Sequence, residues 1–218
     1  LVSDIDAKDK AINTVAHNDT GKAFQGVFDG NGHTISNCTL TTATANKGFN
    51  CSLFGTVAAS GVIRNLNVIN ATINTRFGGG IATLNWGTIE NCFISATVTI
   101  ATSTAANPTG GIVSKNAGGK IKNCVAVIVA GDGVTNACVG GIAGRTTNVN
   151  SVIENCYLYS ETFEIFETSK SGDANDLRQT TNAQAVKTTE ALKALDYSMF
   201  DSAIWDFRGE YPKVKTQG

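Results

Sequence analysis

Apolar residues in this chain alternate with polar ones over short stretches and then stop at Asn or Gly, the period-two pattern of short strands. One arrangement recurs along the chain: Ile, any residue, Asn, then Cys or Leu. It appears at Ile35-Ser36-Asn37-Cys38, Ile63-Arg64-Asn65-Leu66, Ile89-Glu90-Asn91-Cys92, Ile121-Lys122-Asn123-Cys124 and Ile153-Glu154-Asn155-Cys156. Upstream of the last four lies a second apolar anchor, usually behind glycine. These anchors are Ser52-Leu53-Phe54-Gly55, Gly79-Gly80-Ile81-Ala82, Gly110-Gly111-Ile112-Val113 and Gly140-Gly141-Ile142-Ala143-Gly144. Two anchors recurring together define a structural repeat, and strand-like units of this length predict an all-β solenoid of about five coils.

Within one unit, Ile89, Cys92 and Ile94 read as inward-facing. The step from Ile89 to Cys92 is odd, which strand alternation forbids, so one residue must absorb the change of parity. Asn91 is the candidate, because Asn tolerates the left-handed region. The same bend is expected at Asn37, Asn65, Asn123 and Asn155. Stacked coil on coil, these residues would form a ladder of side-chain amides beside one inward column of Ile35, Ile63, Ile89, Ile121 and Ile153. The glycines before the second anchor suit a further tight corner with positive φ.

These segments resemble the GLUG-type repeats of bacterial surface proteins. Phe24-Gln25-Gly26-Val27-Phe28-Asp29-Gly30-Asn31-Gly32-His33-Thr34-Ile35 is similar to the turn that leads into such repeats. Leu1-Val2-Ser3-Asp4-Ile5-Asp6 is similar to the short strand before that turn, and Trp205-Asp206-Phe207-Arg208-Gly209-Glu210-Tyr211-Pro212 to the segment that closes the set. The resemblance implies a right-handed parallel β-helix and residence at the cell surface or outside the cell, often within a larger protein. It implies no defined activity. Leu1 opens the chain without Met or a signal-peptide pattern, which suggests a piece processed or cut from a longer polypeptide.

The repeats fill residues 1–161. A polar stretch at 162–187 reads as a loop or linker, and 188–218 as a C-terminal cap. There Thr188 is a plausible N-cap with Glu190 in the first turn, and Leu192, Leu195 and Met199 have helical spacing over 189–199. Trp205, Phe207 and Tyr211 are expected to cover the open end of the solenoid, where exposed strand edges invite aggregation.

Six cysteines in an exported chain ordinarily suggest disulfides. Here Cys38, Cys92, Cys124 and Cys156 occupy one repeat position that another copy fills with Leu66, the behaviour of a small buried apolar group. Stacking at about 4.8 Å with parallel Cβ vectors fits disulfide torsion poorly, so a ladder of free thiols is expected. Cys51 and Cys138 lie outside that column and near different repeats, and are not expected to pair. With no Cys-x-x-Cys and no clustered His, neither a zinc site nor another cofactor is expected.

Seventeen Lys plus Arg against eighteen Asp plus Glu leave a net charge of −1, without the basic footprint that nucleic acid or an anionic membrane requires. No apolar run is long enough to span a membrane. His17 and His33 are the histidines, and His33 reads as a turn residue beside Asp29 and Asn31. Glu90, Lys122 and Glu154 follow Ser36 and Arg64 at one outward position, which reads as a charge ladder rather than a catalytic pair of acids. The chain is therefore expected to be a non-catalytic module that serves as an adhesive surface or spacer. Its unknown surface ligand would be a glycan or a host protein. A carbohydrate-active β-helix enzyme, a polysaccharide lyase or glycoside hydrolase, is the alternative, and it would need acids converging on one face.

Overall fold

The computed structural model describes residues 1–15, 22–41, 51–75, 77–99, 108–134, 139–166 and 180–217. Three parallel sheets stack around one core as a β-solenoid of about five turns. The longest sheet orders Ile5–Asp6, Thr34–Ser36, Val62–Asn74, Thr88–Val98, Lys120–Ala130, Val152–Tyr159 and Thr180–Thr181, with Val27–Asp29, Thr39–Thr41 and Gln184–Val186 completing it. A second sheet stacks Phe54–Val57, Ala82–Asn85, Val113–Asn116 and Ala143–Thr146, and a third Gly78–Gly79, Thr109–Gly110 and Val139–Gly140.

The parity argument places the bends. Asn65, Asn91, Asn123 and Asn155 all have left-handed backbones, with φ between 49° and 53°. Each bend lets the strand turn inward residues on both sides of itself toward the core. Ile63, Ile89, Ile121 and Ile153 pair coil to coil in that order and are wholly buried.

Ile35 does not join that column. It pairs with Val68 on one side and Ile5 on the other, while Phe28 takes the place beside Ile63. The cause is the turn Asp29 to His33, which lies between the two short strands of the first coil, so that Ile35-Ser36-Asn37 falls one bend further along. Asn37 is nonetheless left-handed, with φ 53°, and its partner is Asn70, with φ 54°. Asn70 lies in the register shift between Val68 and Ala71, and its Nδ2 donates to Asn37 Oδ1 at 2.7 Å.

The paired glycines serve close approach rather than positive φ. Among the described glycines only Gly32, Gly118 and Gly133 have positive φ. A Cβ on Gly79 would lie 2.6 Å from Ile112 O, one on Gly80 would collide with Ile94 Cδ1, and one on Gly111 with Gly141 O. Adjacent coils approach so closely at this corner that no side chain fits.

The described ends of 162–187 are not linker but part of a further coil. Ile142 N donates to Ile165 O at 3.1 Å, and Ala143 bridges to Phe166. Thr180–Thr181 and Gln184–Val186 extend the longest sheet from Val152–Tyr159. Between them Asn182, at φ 52°, repeats the Asn bend. The stretch of the expected loop from 167 to 179 lies outside the described residues.

The C-terminal segment also departs from expectation. Its helix spans only Thr189–Lys193, with Thr188 Oγ1 accepting from Ala191 N at 3.1 Å. Beyond it, Tyr197 and Phe200 turn onto Tyr157 at ring distances of 5.0 and 5.4 Å, a tertiary pull that outweighs helical spacing. The aromatics do not cover the end of the stack. Leu192, Phe200, Trp205 and Val214 bury themselves against Phe93, Val125, Val127 and Tyr157, the outward residues of the longest sheet. After the antiparallel pair Trp205–Asp206 with Lys213–Val214, the chain runs back to the first coil. Gln217 N donates there to Asn31 O at 2.9 Å, next to Asp29, whose carbonyl receives the amino group of Leu1. The segment is a strap laid along the flank, from the last coil to the first.

Candidate functional site

Strand alternation sends every second side chain of the longest sheet outward, so its flank presents regular columns of side chains. The strap covers one column of that flank. A polar column beside it runs Arg64, Glu90, Lys122, Glu154 and Thr181 in register. Lys122 Nζ sits 2.8 Å from Glu154 Oε2, and Arg64 Nε 2.8 Å from Asp29 Oδ2. Ser36 lies outside this column, opposite Ile69, and Asp29 holds its place. Glu90 and Glu154 stand two coils apart with Lys122 between them, so the two acids do not face one substrate-sized gap.

Aspartates terminate the Asn ladders at the first coil. Asn65 Nδ2 donates to Asp29 Oδ1 at 3.1 Å, and Asn37 Nδ2 to Asp6 Oδ1 at 2.9 Å. At the other end Asn182 Nδ2 donates to Asn155 Oδ1 and Asn155 Nδ2 to Asn123 Oδ1, at 3.1 and 3.0 Å. Asn65 Oδ1 is buried without a partner. Burial of Asp29 opposes its ionisation, but donors from Asn31 N, Asn65 and Arg64 outweigh that and hold its carboxyl below the usual range. The Asn37 amide and the Lys8 N–H lower Asp6, and the Thr34 N–H and His33 lower Asp4. His33 Nδ1 thus meets Asp4 at 3.0 Å, and Asp29 belongs to Arg64 and Asn65 instead. His17 lies outside the described residues.

A second amide ladder, invisible in the repeat pattern, runs inside the stack. Asn85 and Asn116 are wholly buried, and Asn85 Nδ2 donates to Asn116 Oδ1 at 3.0 Å. Their amides also reach the carbonyls of Lys120 and Val152. A buried polar side chain at equivalent repeat positions was the available signal, masked because Val57 and Thr146 replace Asn in the flanking coils.

Leu66 lies beside Cys92 and Cys124 beside Cys156, and Cys92, Cys124 and Cys156 are wholly buried and free. Each thiol reaches the carbonyl two residues earlier: Glu90 O at 3.2 Å, Lys122 O at 3.1 Å and Glu154 O at 3.3 Å. Burial, with the neighbouring thiols, raises Cys124 far above an ordinary thiol. Cys38 is free and buried too, but falls outside this column because Thr39 pairs with Thr72, which sets it opposite Ala71. Burial pushes its thiol up to about 11. Cys51 is free, and burial raises it as well, while Cys138 lies outside the described residues. Cys38, Cys51 and Cys124 are thus held in the thiol form by burial.

Where the strands end, a recess of about 140 Å³ is lined by Ile128, Val129, Ala130, Tyr159, Glu161 and Thr162. It exists because Lys120–Ala130 extends three residues past Val127, the last to pair with Val152–Tyr159. Among the described residues no cluster of three or more His, Cys, Asp or Glu is placed to hold a metal ion. No described helix is long and apolar enough to cross a membrane.

No protein-family model matches the chain. Halomucin from Haloquadratum walsbyi is 42% identical over 83 residues, which is 37% of this chain and 1% of that protein. The chain thus spans about 1% of the curated relative it matches. Among solved structures, a candidate immunoglobulin A1 protease from Bacteroides ovatus superposes with a TM-score of 0.63 at 19% identity, over 100% of this chain and 85% of that one. That likeness is one of fold alone.

Proposed function

We propose that this chain is a non-catalytic, GLUG-type repeat module of a larger exported protein, and that it holds its long flank toward a glycan or host-protein ligand outside the cell. The observation that carries the reading is that several polar side chains of the flank pair within the stack. Lys122 pairs with Glu154, Arg64 with Asp29, and Asn155 with both Asn123 and Asn182. Such a surface is rigid and preformed, which suits recognition, because little conformational freedom is lost on binding. A match confined to 1% of Halomucin supports a module carried within a long chain. The test incubates the purified chain with panels of polysaccharides and matrix proteins and follows both binding and release of reducing or unsaturated ends. Saturable binding without turnover is expected. Turnover of any glycan, or no binding to either panel, overturns the proposal.

A further inference from the structure

The strap is built as a separable body. It carries its own aromatic cluster, with Phe200 5.1 Å from Trp205 and Tyr197 4.8 Å from Phe207, and its own antiparallel pair. Its covalent link to the stack is short: Val186 still pairs with Tyr159, and Thr188 already caps the strap helix. Lys187 alone lies between, its Nζ held by Glu164 at 2.9 Å.

At its far end the strap is read through its backbone. Val214 N donates to Asn67 Oδ1 at 3.0 Å, and Asn67 Nδ2 donates to Val214 O at 2.9 Å, a two-point grip by a side chain only 2% exposed. Asn67 Nδ2 also donates to Gly32 O at 2.8 Å. Asn31 exchanges two hydrogen bonds with Gln217, and Gly32 presses so close to Lys215 O that a Cβ there would collide with it. Coils one and two thus form a cradle for an extended segment with a small β-branched residue at its centre. The other half of the surface, Phe93, Val125 and Tyr157, takes the aromatic cluster.

We propose that this flank is also an assembly surface, which accepts the same strap from a second copy of the chain to give a reciprocally exchanged pair. Every contact that seats the strap on its own stack is available unchanged to the strap of a neighbour, and only the path through Lys187 decides between the two. Exchange of an identical element preserves all the buried area, so the closed and exchanged forms differ by connection geometry and concentration. A twofold pair closes on itself, leaving no unfilled cradle to propagate.

The experiment uses the full chain, refolded across a wide range of concentration and examined by light scattering. With the half-exposed Trp86 replaced by Phe, emission from Trp205 reports whether the strap is seated, since that indole is 1% exposed. A dimer that grows with refolding concentration, with Trp205 buried throughout, is expected. Deleting Lys187 should shift the population toward dimer, and inserting a short Gly-Ser stretch after it should restore monomer. In the deletion chain, whose monomer leaves its own cradle empty, Asn67→Ala should lower the dimer association constant about tenfold or more, the loss of two buried hydrogen bonds at each filled cradle. A wild-type chain that stays monomeric at every concentration overturns the proposal. So does a dimer in which Trp205 is exposed, or a deletion-chain dimer indifferent to Asn67→Ala.

Discussion

Asn155 shows what one residue does in this fold. Its left-handed backbone turns the strand, and its amide links Asn123 to Asn182. Replacing it with Ala imposes left-handed strain of about 1–2 kcal/mol and strands two amide partners at about 1 kcal/mol each. Asn155→Ala should therefore lose about 3–4 kcal/mol in chemical denaturation. Asn155→Gly should recover the backbone part and lose only the ladder. Equal losses in the two variants would show that the bend itself demands nothing of the residue. The bend was legible in the sequence because the step from Ile to Cys is odd. Asn182 was not, because Thr180-Thr181-Asn182-Ala183 carries neither the Ile nor the Cys that flagged the other copies. Asn70 was missed for a different reason: its bend sits in a register shift that only the partner strand defines.

Among the elements, the corner between the second and third sheets is the tightest. A Cβ on Gly111 would strike the backbone oxygen of Gly141, which no rotamer change can relieve. Gly111→Ala should cost about 3 kcal/mol or more by forcing adjacent coils apart, at the upper end of overpacking penalties. By contrast, a Cβ on Gly26 would meet only the Phe24 ring, at 3.7 Å. Gly26→Ala should be neutral or stabilising by about 0.5–1 kcal/mol, since it restricts the unfolded chain. Thermal and urea unfolding of the pair would separate them, and similar midpoints would sink the close-approach account. The sequence pattern located these glycines correctly but attributed them to φ, because spacing cannot distinguish a turn from a crowded crossing. The cysteine column was legible for three copies through exchange with Leu66, and misplaced for Cys38 by the same turn that displaced Ile35.

For the whole molecule, Asp196 and Asp206 are the aspartates of the strap with lowered pKa, while in the stack Asp29 of the first coil and Asp4 and Asp6 of the short strand paired with it are lowered together at one end. A carboxyl held below its unfolded value contributes stability above that value and loses it as pH falls through the folded one. Below about pH 4, where free aspartates protonate, the stack should loosen from the first coil onward. Hydrogen exchange at successively lower pH should show residues 1–36 losing protection before 88–130. Loss of protection across all coils at once would contradict this order. The solenoid was legible from periodicity, but the strap was not. Its aromatics read as a cover for an open end, because no local pattern says which surface a distant Phe93 or Tyr157 presents.

Because Leu1 and Gln217 rest on Asp29 and Asn31 of one turn, tension applied between Leu1 and Gln217 would bypass the coils. The load would pass across the few hydrogen bonds between Asn31, Asn67 and the strap, and the stack would hang beside the line of pull as a pendant. Its reach is measured at right angles to that line, and the first part to yield under force would be the strap.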